Sequence, residues 1–131
     1  MHREIVKTIL YAYPHLEALA EAEETAARNR AILSYRTPSS TFRQVEWVAE
    51  AAIMARRLRI LHEELTIIID KLSEWERQLI EAVYFRKRDA LTVFKRICAV
   101  KSRSTVFREH MRVLEGVRVE LVAIEIGRAH V

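Results

Sequence analysis

Between positions 102 and 112 the chain places side chains suited to one kind of chemistry: Ser102, Arg103, Ser104, Arg108 and Arg112. A guanidinium donates in a planar fork that matches guanine O6 and N7, and a serine hydroxyl can donate to or accept from a base edge. This is recognition chemistry, without bond-making. A second group, Arg86, Lys87, Arg88, Lys95, Arg96 and Lys101, offers charges suited to phosphates, which fix register on a duplex without reading its sequence. Catalysis has no comparable support. The chain shows no nucleophile paired with a general base, no organised carboxylate pair, no Gly-rich phosphate loop and no Cys/His/Asp pattern at metal-ligand spacing. We therefore expect a non-enzyme without metal or cofactor.

Side chains that read a groove must be carried on a helix, and the stretch Asp89–Arg118 contains the pattern for one. A short helical pattern, Ala90–Ile97, is followed by a break at Cys98-Ala99-Val100-Lys101, and Ser102 is placed to cap the next helix. In that next helix Val106, His110, Leu114 and Val117 fall on one inward stripe. This is the layout of a helix-turn-helix. Upstream, Ser73-Glu-Trp-Glu76 is an S-x-x-E capping box ahead of an apolar face of Trp75, Leu79, Ile80, Val83 and Tyr84. Arg86-Lys-Arg88 closes that helix at its negative end. Asp89 is then expected to cap the next helix, whose Leu91, Val93, Phe94 and Ile97 would fill the core beneath the recognition helix. His110 reads as a core or boundary histidine, Cys98 as a small buried hydrophobe, and Trp47, Trp75 and Tyr84 as core aromatics.

Two of these segments together, LSEWERQLIEAVYF (Leu72–Phe85) and SRSTVFR (Ser102–Arg108), resemble region 4 of bacterial sigma factors. In that region a capped helix leads to a helix-turn-helix whose recognition helix often begins S-R-S-T-V. The likeness covers about the last third of the chain. The turn departs from the family pattern, with Cys98-Ala99 and one further residue where glycine is usual, and Phe94 falls near a position usually kept small. No promoter-melting region precedes the motif. A long helical N-terminal part ahead of it is similar instead to small regulators of phages and mobile elements, such as RinA/ArpU-like late-gene activators. The resemblance implies binding to double-stranded DNA near promoters, with RNA polymerase as a further partner.

Composition agrees with an all-α chain. Half of the 131 residues are apolar, and two Gly and two Pro leave little material for turns. The net charge of +4 is unevenly spread. Arg77–Arg118 holds eleven Lys and Arg against four acids, a net of +7, while the remainder nets −3. A single cysteine excludes an internal disulfide, and no apolar run approaches the roughly 20 residues of a membrane span. A cytoplasmic protein without membrane contact or export signal is expected.

The N-terminal half carries no chemistry of its own. Ile5, Val6, Ile9, Leu10 and Tyr13 predict a helix that Pro14 interrupts. From His15 to Leu33, an Ala-rich side (Leu16, Leu19, Ala20, Ala26, Ala27, Leu33) opposes glutamates expected to be solvated. The stretch Ser34–Thr41 predicts a linker, with Thr41 and Gln44 forming a capping box for a long helix over Phe42–Lys71. Its seam, Val45, Val48, Ala52, Ala55, Leu58, Leu61, Leu65, Ile68 and Leu72, suits an antiparallel hairpin with the preceding helix or a homodimeric coiled coil. The expected organisation is a helical hairpin or oligomerisation region at 1–71 and a sigma region 4-like helix-turn-helix bundle at 72–125. VRVELVAIEI after Gly116 is expected to extend the last helix. Residues 126–131 (IGRAHV) match one reading frame of a common sequencing adapter, which makes an assembly artefact one reading of them.

Two functions follow as expectations. One is a sequence-specific transcription regulator of phage or mobile-element type. The other is a helical interaction or assembly protein, such as a phage packaging subunit, whose basic charge binds DNA without discrimination.

Overall fold

Local caps decide where the helices begin and end in the computed structural model, in which residues 1–34 and 41–129 are described. Ser73 sits in extended backbone, and its Oγ accepts the Glu76 N–H at 3.3 Å while Glu76 Oε1 accepts the Ser73 N–H at 3.1 Å. This reciprocal box starts α4 (Glu74–Ile80). The helix then widens into one π-helical turn, Glu81–Phe85, and stops at Arg86 in the left-handed region, φ 52° and ψ 36°. The Lys87 N–H closes that end on the Glu81 carbonyl at 3.2 Å. Glycine usually occupies such a position, because a Cβ crowds the carbonyl there.

The remaining elements are α1 (Arg3–Ala12), a 3-10 turn at Tyr13–His15 around Pro14, α2 (Leu16–Ser34), α3 (Thr41–Asp70), α5 (Arg88–Val100) and α6 (Arg103–Ala129). No strand occurs among the described residues, and the chain is all-α. The expected linker at Ser34–Thr41 lies largely outside the described residues.

The chain forms two compact units, Met1–Pro14 with Glu64–Val131, and His15–Glu63. The sequence reading placed its division at residues 71 and 72. In the first unit α1 packs against α6 and the π-helical turn. Val6 and Leu10 of α1 are fully buried there, with Leu65, Ile68 and Ile69 from the end of α3, Leu79 and Ile80 from α4, and Val113, Leu114, Val117 and Leu121 from α6. Each such aliphatic side chain contributes about 1.5–3 kcal/mol relative to exposure. Aromatic contacts tie the π-helical turn to the N-terminal segment: Tyr11 meets Tyr84 edge-on at 4.8 Å and Tyr13 stacks on Phe85 at 5.0 Å.

In the second unit α2 and α3 run antiparallel, since Glu17 meets Arg59 and His62 while Arg30 lies 3.8 Å over the Trp47 ring. Leu16, Ala20, Ala51 and Ala55 are its buried apolar residues. Three of these four are alanines, and larger apolar residues of both helices lie outside. Leu19, Leu33, Val45 and Val48 are exposed, contrary to the seams expected of them. Glu17 and Glu24 are not simply solvated, because both pair with Arg59.

Three expectations near the C-terminal motif also change. The α5 helix does not break at Cys98; it continues to Val100, for lack of any residue there that favours leaving the helix. Its N-cap is Lys87, with Asp89 inside the first turn where a carboxylate still favours the positive end of the dipole. Cys98 is exposed, and Ala90 is the buried residue of α5, with Leu91, Val93, Phe94 and Ile97 only half-buried. The extension after Gly116 is helical as far as Ala129, where Arg128 pairs with Glu64.

Candidate nucleic-acid interface

The connection between α5 and α6 is two residues long, Lys101 and Ser102. Lys101 turns the chain in extended backbone, φ −88° and ψ 146°. Ser102 then caps α6, its Oγ accepting the Thr105 N–H at 3.3 Å. The same hydroxyl lies 2.8 Å from Thr105 Oγ1 and 3.2 Å from Ser104 Oγ, so Ser102 is engaged within its own helix start.

The four other candidate base-reading residues, Arg103, Ser104, Arg108 and Arg112, are all exposed. They do not share one face. With about 100° between successive residues of an α-helix, Ser104, Arg108 and Arg112 lie within roughly 80° of one another. Arg103 sits about 140° from Arg108, towards the inner stripe. Accordingly Thr105, Arg108 and Arg112 border one shallow depression, whereas Arg103 borders an apolar groove with Val83, Phe94, Val106 and Phe107. On the inner stripe Leu114 and Val117 are buried, and Val106 and His110 are half-buried.

Among the candidate phosphate ligands, Arg86, Lys87, Arg88, Lys95 and Arg96 are exposed. Lys87 lies 3.5 Å from Glu81, a surface pair of small energetic weight. Lys101 differs from the others. Its Nζ donates to both oxygens of Glu109, at 2.9 and 3.1 Å, and lies 4.6 Å over the Trp75 ring. Glu109 also accepts the Trp75 Nε1–H at 2.7 Å. Its carboxyl is held below the usual range first by the Lys101 hydrogen bond and then by that of Trp75. Trp75 in turn stacks near Phe94 of α5, with ring centroids 6.3 Å apart. One carboxylate thus joins α4, the α5–α6 connection and α6. The sequence signal for it was Glu109 itself, an acid set between Arg108 and Arg112 in the most basic part of the chain.

A second inner contact holds α6 to the π-helical turn. The Tyr84 hydroxyl lies 2.6 Å from His110 Nε2. Burial raises the Tyr84 phenol above the ordinary tyrosine range, and burial followed by the nearby Lys7 charge lowers His110. Burial thus favours the neutral form of both groups, which lie within hydrogen-bond distance of each other.

No protein-family model, curated protein or solved structure matches this chain. Among the described residues no helix is long and apolar enough to cross a membrane. The described residues also contain no group of three or more His, Cys, Asp and Glu able to hold a metal ion.

Proposed function

We propose that this chain is a sequence-specific DNA-binding transcription regulator of phage or mobile-element type, using α5 and α6 as a sigma region 4-like helix-turn-helix. The observation that carries the reading is the exposed row Ser104, Arg108 and Arg112 on the N-terminal part of α6, opposite a face that is anchored in the bundle. A helix held on one side and offering guanidinium groups on the other meets the requirement for reading base edges in a major groove. The exposed bases of α5 and of the Arg86–Arg88 segment supply phosphate contacts. In this reading Arg108 and Arg112 read bases, Arg103 lies to one side of them, and Lys101 sets the helix rather than gripping DNA. RNA polymerase is a further partner that the resemblance to sigma region 4 supports, and a cytoplasmic location accords with both.

The short connection and the displacement of Arg103 favour a second reading, a helical assembly protein that binds DNA without discrimination. Selection from a randomised duplex pool at physiological salt separates the two. The regulator reading expects an enriched motif, and expects Arg108→Ala to cost about 1–3 kcal/mol on that motif while random duplex is little affected. Arg88→Ala should weaken both alike. Retention of an unenriched pool, with equal losses for both variants, would leave the assembly reading.

A further inference from the structure

We propose that the outward face of α3 is a homodimer interface on which two copies of this chain pack antiparallel, Phe42 of one against Ile60 of the other and Glu46 against Arg56. The residues Phe42, Glu46, Ala49, Ile53, Arg56 and Ile60 are spaced alternately by four and three. On a helix this is a single narrow strip, the repeat that packs one helix along another. It lies on the side of α3 away from buried Ala51 and Ala55. Phe42 is 78% exposed and Ile53 54%, and Val45 at 62% flanks the strip. Glu46, Ala49 and Arg56 are exposed as well, and Ile60 is half-buried.

Three features favour a second copy as the occupant. First, the strip is self-complementary under reversal. In one antiparallel register Phe42 faces Ile60, Ala49 faces Ile53, a small residue against a large one, and Glu46 faces Arg56, each pair occurring twice. No other occupant is needed to match both its charges and its volumes. Second, Glu46 and Arg56 are ten residues apart on one helix, about 15 Å along its axis, so they cannot pair within a chain. Third, Phe42, Val45 and Ile53 are large apolar side chains exposed together on this one side of α3, the kind of contiguous apolar patch that marks an interaction surface. The pairing uses residues of the His15–Glu63 unit alone and stands independently of DNA binding.

Sedimentation velocity on the full chain between about 1 and 100 µM, a range that brackets micromolar affinity, tests the proposal. The unmodified chain should form dimers in this range. Glu46→Arg and Arg56→Glu should each weaken the dimer at least tenfold while leaving the far-ultraviolet circular dichroism unchanged. Glu46→Arg combined with Arg56→Glu should restore it, because the charges are exchanged between facing positions. Ile53→Asn provides the same weakening through the apolar part of the strip, so a folding defect in one charge variant does not disable the test. A monomer at 100 µM would overturn the proposal. So would a double variant no tighter than the single ones, or equal weakening by Val119→Glu on the exposed side of α6.

Discussion

Replacing Tyr84 by Phe deletes one hydroxyl and should destabilise the first unit by about 1–2 kcal/mol. The figure rests on the geometry of its contact with His110. The two polar atoms are 2.6 Å apart, and the phenol is only 4% exposed. An ordinary intramolecular hydrogen bond contributes about 1 kcal/mol net, and an abandoned polar partner adds part of a desolvation penalty of about 1–3 kcal/mol. His110 is half-buried and regains some hydration, which keeps the total towards the lower end. The ring contact of residue 84 with Tyr11 survives in phenylalanine, so packing changes little. In a His110→Leu background the same change should cost almost nothing, giving a coupling of about 1 kcal/mol between the two sites. Urea denaturation of the four variants, followed by circular dichroism, measures that coupling. The pair also sets a pH dependence. Because burial lowers His110 in the folded state, its contribution is fully present above the unfolded histidine value of about 6.5 and is lost as pH falls through the lowered folded value. One proton limits the slope to about 1.4 kcal/mol per pH unit. The difference in stability between the unmodified chain and His110→Leu should therefore shift in favour of leucine between pH 7.5 and pH 5.5. A coupling below about 0.5 kcal/mol, or a difference independent of pH, would refute the role assigned to the pair.

The other perturbations bear on stability, on binding or on both. Arg86→Gly should raise stability by about 0.5–1 kcal/mol, the relief of a left-handed non-glycine residue less the extra chain entropy of glycine. It should also lower affinity for any duplex and shallow the salt slope by about 0.9, as measured by fluorescence anisotropy. Gly116→Ala should stabilise α6 by up to about 1 kcal/mol in thermal or urea unfolding. A Cβ at that helical position meets nothing within 4 Å. Lys101→Met should leave the salt slope of DNA binding unchanged, whereas Lys95→Met should reduce it by about 0.9, because Lys101 is already held by Glu109. Glu109→Gln should move the Trp75 emission in a Trp47→Phe background. It should also remove a contribution to stability that the native carboxylate makes above about pH 4.5 and loses as pH falls through its lowered folded value.

How much of this arrangement was legible in the sequence depended on how far apart in the chain its causes lie. Ser73 and Glu76, or Ser102 and Thr105, stand three residues apart and satisfy free N–H groups at a helix start wherever the helix later packs. Such signals survive without knowledge of the fold. The long inner face of α6 was readable for a similar reason, since its period alone places Leu114 and Val117 together. The failures came where size was taken as the guide to burial. Seams drawn through Leu19 and Val45 follow size and hydrophobicity, but the buried apolar residues of that unit are Leu16 with Ala20, Ala51 and Ala55, and Leu19 and Val45 are left outside.

The α5–α6 connection shows why helix existence was easier to infer than helix presentation. A glycine turn would have set the entry of α6 locally, and its absence left the direction open in the sequence. The structure supplies the constraint through contacts of long sequence separation instead: Trp75 to Glu109, Tyr84 to His110, and Val6 and Leu10 of α1 within the unit that holds α6. None of these residues announces its partner by spacing. The functional consequence falls on the arginines. Because α6 is fixed by its inner face and by Glu109, the side of the helix that remains available is the one bearing Ser104, Arg108 and Arg112, and Arg103, though part of the motif, is turned towards the groove beside α5. A local motif therefore made the start of α6 legible, while the side of that helix that stays exposed is set by contacts with α4 and the π-helical turn.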